Sequence, residues 1–233
     1  MREAIRRHGS ALREVLIDAR RSPKLEALAR FAADQAVPLV RDVSRAELDQ
    51  LSRGVAHQGV AALAPDLELV SFDALLAEPT ALILALDSLQ DPQNFGAVVR
   101  SAVALGGATI LWGEHASAPL TPATFRASAG AIEHARLCRV PSLHEALGAL
   151  SANGVQVIGL DATAPTKLAE CALTSPTALV LGGEGEGLSR AVRRTCTTLA
   201  ALGGLASIDS LNASVAAGIA LYEALRQRSK SGI

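Results

Sequence analysis

Four segments that are apolar at nearly every consecutive position constrain this chain most: Ala81 to Asp87 (ALILALD), Ala108 to Trp112, Val155 to Leu160 and Thr177 to Leu181. A strand wetted on one face alternates apolar and polar residues, so unbroken runs predict strands buried on both faces, as in a parallel sheet. Helix-patterned stretches separate them, over Asn94 to Leu105, Ser142 to Ser151 and Leu188 to Cys196. The alternation predicts an α/β fold in which helices cover a parallel sheet and ligands sit at the C-terminal ends of the strands.

The first part of the chain reads differently. Glu14 to Ala19 and Pro38 to Val43 have strand character, Pro23 to Ala36 is an amphipathic helix opened by proline, and Ser44 with Glu47 forms a capping-box signature. Ala56 to Leu63 is apolar enough for a third strand, which makes residues 1–64 a small βαβαβ unit. Prolines at 65 and 79 bracket a linker over 65–80, and the larger domain runs from 81 to 233. Residues 1–53 carry 11 Lys/Arg against 8 Asp/Glu, while the remainder carries 11 against 15. A mildly basic front on a mildly acidic body points weakly to a polyanion at the front, and equally to a solvated helix surface.

Composition closes other routes. Aromatics are 3% of the chain, too few for a base-stacking platform. No apolar run approaches the roughly 18 residues of a membrane span, and the basic N-terminus lacks the apolar stretch of a signal peptide, so a cytoplasmic protein is expected. Cys138, Cys171 and Cys196 are far apart, with no CxxC or Cys/His cluster, which predicts reduced, buried thiols and no metal site.

Three polar constellations fall at predicted strand ends. In the first, Asp87 to Arg100 (DSLQDPQNFGAVVR), Asn94 is placed as a helix N-cap and Arg100 nearly two turns further on, where a guanidinium can clamp a phosphate. Turn chemistry and a solvated helix residue explain the same letters. The second is the glycine loop from Gly182 to Gly187. It fits neither a P-loop nor GxGxxG, and Glu184 and Glu186 repel phosphate, so bare amides beside a carboxylate suit a positively charged nucleoside such as S-adenosylmethionine, while a plain glycine-rich turn between strand and helix explains the same letters. The third is Ser207 to Asn212, where Asp209 or Ser210 serves as an N-cap and Asn212 and Ser214 fall inside the first turn of a helix. That helix, Val215 to Arg228, has an extended apolar face and ends in Arg226, Arg228 and Lys230, which complement its dipole.

The order NFGAVVR, LVLGGEGEGL and SLNASVAAGIALYEALRQR resembles the three motifs of the SpoU/TrmH family of RNA 2′-O-ribose methyltransferases. Ala127 to Ala131 and His57 to Val60 are similar to its RlmB-like branch, and the likeness spans nearly the whole chain. It implies a SPOUT α/β-knot, in which the C-terminal segment threads a trefoil knot, preceded by a small α/β RNA-binding domain. It implies S-adenosylmethionine as methyl donor, a homodimer with the site completed across the interface, and a guanosine of large-subunit ribosomal RNA as target. Alternatives are transfer RNA as target, or a non-catalytic RNA-binding or assembly factor of the same fold. Matched to the motifs, Asn94, Arg100, Glu184, Ser210 and Asn212 take the catalytic positions, and Gly182, Gly183, Leu202, Ile208 and Leu211 the donor contacts. A guanidinium stays protonated, so Arg100 is expected as a clamp oriented by Asn94 and Glu184 rather than as the base.

The chain departs from that family in two places. Leu202-Gly203-Gly204 stands where Ile-Pro-Met is usual, which loosens a donor-binding loop, and the N-terminus starts without the customary opening strand segment. A small-molecule enzyme of the Rossmann type is disfavoured by the failed dinucleotide fingerprint.

Overall fold

The computed structural model describes residues 1–52, 56–78, 82–115, 120–203 and 211–232, and the chain divides into two units, Met1–Leu67 and Glu68–Ile233.

The first unit runs α1 (Arg2–His8), β1 (Glu14–Asp18), α2 (Pro23–Asp34), β2 (Val40–Val43), α3 (Arg45–Leu51) and β3 (Val60–Leu63). Its sheet has the order β2-β1-β3. β1 is buried on both faces: Val15 and Ile17 pack with Ile5, Leu12, Leu28 and Ala32, while Leu16 packs with Val43 and Leu48. The expected βαβαβ unit is corrected in two respects. A helix precedes it, anchored by the buried Ile5. β3 also pairs antiparallel with β1, because the turn at His57 to Gly59 starts β3 at the end where β1 finishes. Ser44 caps α3 through Glu47 N (3.2 Å), but the Glu47 carboxylate turns to Arg41 (2.9 Å), so the capping box is half formed.

The second unit runs α4 (Phe72–Leu76), β4 (Leu82–Asp87), α5 (Pro92–Ala104), β5 (Thr109–Gly113), α6 (Pro122–Ala127), β6 (Leu137–Val140), α7 (Leu143–Ala152), β7 (Gln156–Leu160), β8 (Thr177–Gly182), α8 (Arg190–Thr195), β9 (Thr198–Ala200) and α9 (Ala213–Lys230). The sheet has the order β6-β5-β4-β8-β7-β9, with every pair parallel. The four apolar runs become β4, β5, β7 and β8. The two edge strands were not legible: β6 is short and exposes Arg139, and β9 is three residues opened by threonine. Leu111, Cys138, Leu147, Leu150, Val157, Val180 and Val192 join the sheet to α7 and α8, while α5 packs against α9.

Most of the expected linker over 65–80 is folded into this unit. Val70 N donates to Leu137 O (2.7 Å), Leu75 lies in the core, and Arg136 grips both oxygens of Glu78 (2.8 and 2.7 Å), holding that carboxyl below its usual range. Two prolines mark the segment's ends, but its apolar residues still find a surface to bury against. Among the described residues no helix is long and apolar enough to cross a membrane.

Candidate active site at the strand ends

β4 and β8 are neighbours, and Asp87 at the end of one pairs with Gly182 at the end of the other. From there the chain leaves β8 in a closed loop, with Gly187 N donating to Gly183 O (3.2 Å). At Gly182 and Gly183 there is no room for a side chain. A Cβ on Gly182 would lie 2.2 Å from the Gly187 carbonyl carbon, and one on Gly183 would lie 2.6 Å from Ser88 O. Glu184 and Glu186 project outward, exposed.

Asn94 is not the cap of α5. Asp91 is, accepting from Gln93 N (3.0 Å), with Pro92 preset for the first helical position. This moves Asn94 into the first turn and leaves its carboxamide unused by the backbone. Its Nδ2 donates to Glu184 Oε1 (2.5 Å), and its Oδ1 accepts from Asn212 Nδ2 (3.0 Å), which also reaches Glu184 Oε1 (3.2 Å). Three residues up to 118 positions apart thus close one hydrogen-bonded cluster around a carboxylate.

Asn212 is the N-cap of α9, in place of Asp209 or Ser210. Its Oδ1 accepts from Ser214 N (2.9 Å) and Ser214 Oγ (2.6 Å), while its Nδ2 serves the cluster. Ser214 supports the cap from the first turn. Ser210 and Ile208 lie outside the described residues.

Arg100 stands apart. Six residues beyond Asn94 it is turned about 120° around the helix and lies about 9 Å along it. It is exposed and makes no hydrogen bond or ion pair among the described residues, so Asn94 and Glu184 bond to Asn212 rather than orienting it.

Of the expected donor contacts that are described, Gly182 ends β8 and Gly183 follows it. Leu202 follows β9 and is half-buried, Leu211 is exposed, and Gly182 and Gly183 offer main chain. Gly203 has φ of 87°, a left-handed conformation closed to proline. At Gly203, then, the departure from Ile-Pro-Met is a backbone conformation that proline cannot take.

Sequence reasoning missed the supports. Asp87, buried at 5% exposure, accepts from Ser189 N (2.6 Å) and so ties the end of β4 to the start of α8, which Ser189 caps. Burial and the Asp87 charge push the Cys196 thiol up to about 11. Thr163, with Arg193 of α8, holds the Asp161 carboxyl at the end of β7 below its usual range. Gly96 lets α5 and α6 touch, since a Cβ there would lie 2.5 Å from Thr124 O and 2.6 Å from Ala127 Cβ. Two signals were available for these supports: the Asp91-Pro92 pair, and an acid at the end of an apolar strand. All three cysteines are free, with Cys138 buried and the other two half-buried. Among the described residues no group of three or more His, Cys, Asp or Glu is placed to hold a metal.

Residues 81–222 match the model of the SpoU rRNA Methylase family, and residues 2–70 match RNA 2′-O ribose methyltransferase substrate binding. The chain belongs to the SpoU rRNA methylase family. Among its curated relatives, an uncharacterized tRNA/rRNA methyltransferase of Mycobacterium tuberculosis is 42% identical over 207 residues, covering 87% of this chain and 64% of that protein. The chain thus spans less than two thirds of the mycobacterial member's length. The SpoU methyltransferase AviRb from Streptomyces viridochromogenes, solved with AdoMet, superposes at TM-score 0.77 with 28% identity, over 97% of this chain and 87% of that one. A structure described as an RNA 2′-O ribose methyltransferase superposes at TM-score 0.78 with 30% identity, over 98% and 87%. The SpoU fold is therefore the fold of this chain, its parallel α/β unit following a substrate-binding unit in the sequence.

Proposed function

We propose that the chain transfers a methyl group from S-adenosylmethionine to the 2′-hydroxyl of a ribose in RNA, with a guanosine of large-subunit ribosomal RNA as the target. The observation that carries this reading is the Asn94–Glu184–Asn212 cluster at the C-terminal ends of a parallel sheet, in a chain of the SpoU family. The chemistry of the described donor residues suits the cofactor: Gly182 and Gly183 would supply main chain, Leu202 and Leu211 apolar surface, and the exposed Glu184 a carboxylate for a positive ligand. When bound, the donor supplies an electrophilic methyl on a sulfonium. The 2′-hydroxyl oxygen would take the methyl as the carbon–sulfur bond breaks to leave S-adenosylhomocysteine, and the hydroxyl proton would pass to solvent water. This chain's part is alignment. Glu184, held by two amides, fixes the loop that carries Gly182 and Gly183, and Arg100, free of protein partners among the described residues, takes the substrate phosphate.

The same reading includes a homodimer, a cytoplasmic setting and a C-terminal segment threaded through the fold. Leu211 (50% exposed) leads into Val215 (48%), Ile219 (43%) and Tyr222 (57%), which share one face of α9, the kind of stripe a second copy covers. A second reading, an RNA-binding relative without catalysis, draws on Gly203 alone, and calorimetry with S-adenosylmethionine separates the two.

The test uses donor labelled in the methyl group and unmodified ribosomal and transfer RNA transcripts. Label is expected in alkali-resistant dinucleotides, the mark of a methylated 2′-oxygen, and is expected to fall about 100-fold in Glu184→Ala. Label recovered in mononucleotides would overturn the 2′-O assignment, and no transfer with intact donor binding would overturn catalysis.

A further inference from the structure

The turn His57-Gln58-Gly59 takes no part in the site above, yet it is held in an unfavoured shape. Gln58 has φ of 52°, in the left-handed region that residues with a Cβ avoid. His57 locks it there. The imidazole, 6% exposed, accepts the Gly59 N–H at Nδ1 (3.0 Å) and contacts Asp49 Oδ1 through Nε2 (2.9 Å), which fixes the neutral Nε2–H tautomer. A Cβ on Gly59 would lie 2.9 Å from Leu25 Cδ1, and the Gly59 carbonyl accepts from Asp18 N (2.9 Å), so the turn is bound to the end of β1 and the start of α2.

What this lock delivers is one exposed carboxamide with no hydrogen-bond partner among the described residues. At the same end of the sheet, Arg20 and Lys24 are exposed, and their side chains have no partner among the described residues. The nearby acids are already engaged: Asp18 accepts Arg20 N (2.9 Å), Asp49 meets His57, and Arg21 joins Glu26 (3.0 Å) and Asp42 (2.7 Å). An amide that can both donate and accept, at the same end of the sheet as two uncompensated cations, is the chemistry of base-edge recognition between phosphates.

We propose that this edge is where the first unit reads RNA, with Gln58 pairing to the edge of an unstacked base and Arg20 and Lys24 on the flanking phosphates. The proposal rests on the RNA methyltransferase reading and goes beyond it by naming the contact. Accessible base edges of this kind belong to single-stranded loops rather than to duplex RNA.

The decisive variant is Gln58→Gly, because glycine accepts φ of 52° and keeps the turn while deleting the carboxamide. In the full chain it should melt at or above the wild-type temperature. Filter binding to unmodified transcripts of bacterial large-subunit ribosomal RNA and of a transfer RNA pool should show about tenfold weaker binding to the preferred probe. The KM for RNA should rise in step, with kcat and the calorimetric affinity for S-adenosylmethionine unchanged. Arg20→Ala should lower the salt dependence of binding by about one phosphate contact. Wild-type RNA affinity in Gln58→Gly, or weaker binding accompanied by a lower melting temperature, overturns the proposal. The two readings separate cleanly: methyl transfer with unchanged RNA binding in the variant sinks this edge alone, while weakened binding in a chain that transfers no methyl sinks the activity alone.

Discussion

Gly182→Ala is the sharpest perturbation of the loop on which the candidate site stands. The added Cβ would meet the Gly187 carbonyl carbon at 2.2 Å, its oxygen at 2.3 Å and Leu188 N at 2.5 Å, all of them backbone. An ordinary carbon contact needs about 3.5 Å, so the Gly187 peptide must retreat by about 1.3 Å. That displacement breaks the Gly183–Gly187 bridge and strains the pairing of Gly182 with Asp87. A clash against backbone stands at the upper end of overpacking costs, about 3 kcal/mol, and should lower the melting temperature of the second unit by about 6–12 °C. Gly185→Ala is the control. Nothing lies within 4 Å of its Cβ, so only the φ of 86° opposes it, at about 1–2 kcal/mol. Differential scanning calorimetry and titration with S-adenosylmethionine read both variants. Wild-type stability and donor affinity in Gly182→Ala, or equal losses in the two, would refute the closed-loop argument.

Two further outcomes are expected. Asp87→Ala should cost about 1–3 kcal/mol by orphaning the Ser189 N–H; it should also lower the Cys196 pKa from about 11, seen as a shift in the pH profile of thiol labelling, but only in part because burial is the larger cause. Arg226 holds the Glu223 carboxyl down at about 2 against an ordinary 4.5, so the stability the pair contributes is complete above the ordinary value and is lost as pH falls toward 2. Denaturant midpoints of wild type and Arg226→Ala should therefore converge across that window.

The four apolar runs made the central strands of the large sheet readable, because burial on both faces writes itself into consecutive residues. The edge strands wrote no such pattern, since Arg139 and Thr198 face water or neighbours on one side only. Motif letters located Asn94, Glu184 and Asn212, but which of them touch depended on where each helix begins. Asp91 and Asn212 took the caps, and each one-turn difference decided whether a carboxamide faced its own backbone or another segment. The excess of Arg and Lys at the front was legible as charge. What it was for depended on pairing, since Arg21 and Arg41 are engaged by acids and Arg20 and Lys24 are not. The glycine of NFG read as turn chemistry and proved to be a contact point between helices. Arg100 illustrates the limit of motif letters, for the motif groups it with Asn94 although six helical residues turn it about 120° away.

Asn212 is an amide with both ends engaged, its oxygen on the start of α9 and its nitrogen on Asn94 and Glu184. Hydrolysis of that amide to aspartate would leave the helix start satisfied, since a carboxylate caps equally well, but would place a second negative charge against Glu184. Deamidation at this position would therefore escape a check of helix content alone: an aged preparation could keep its helix signal while the cluster is forced apart.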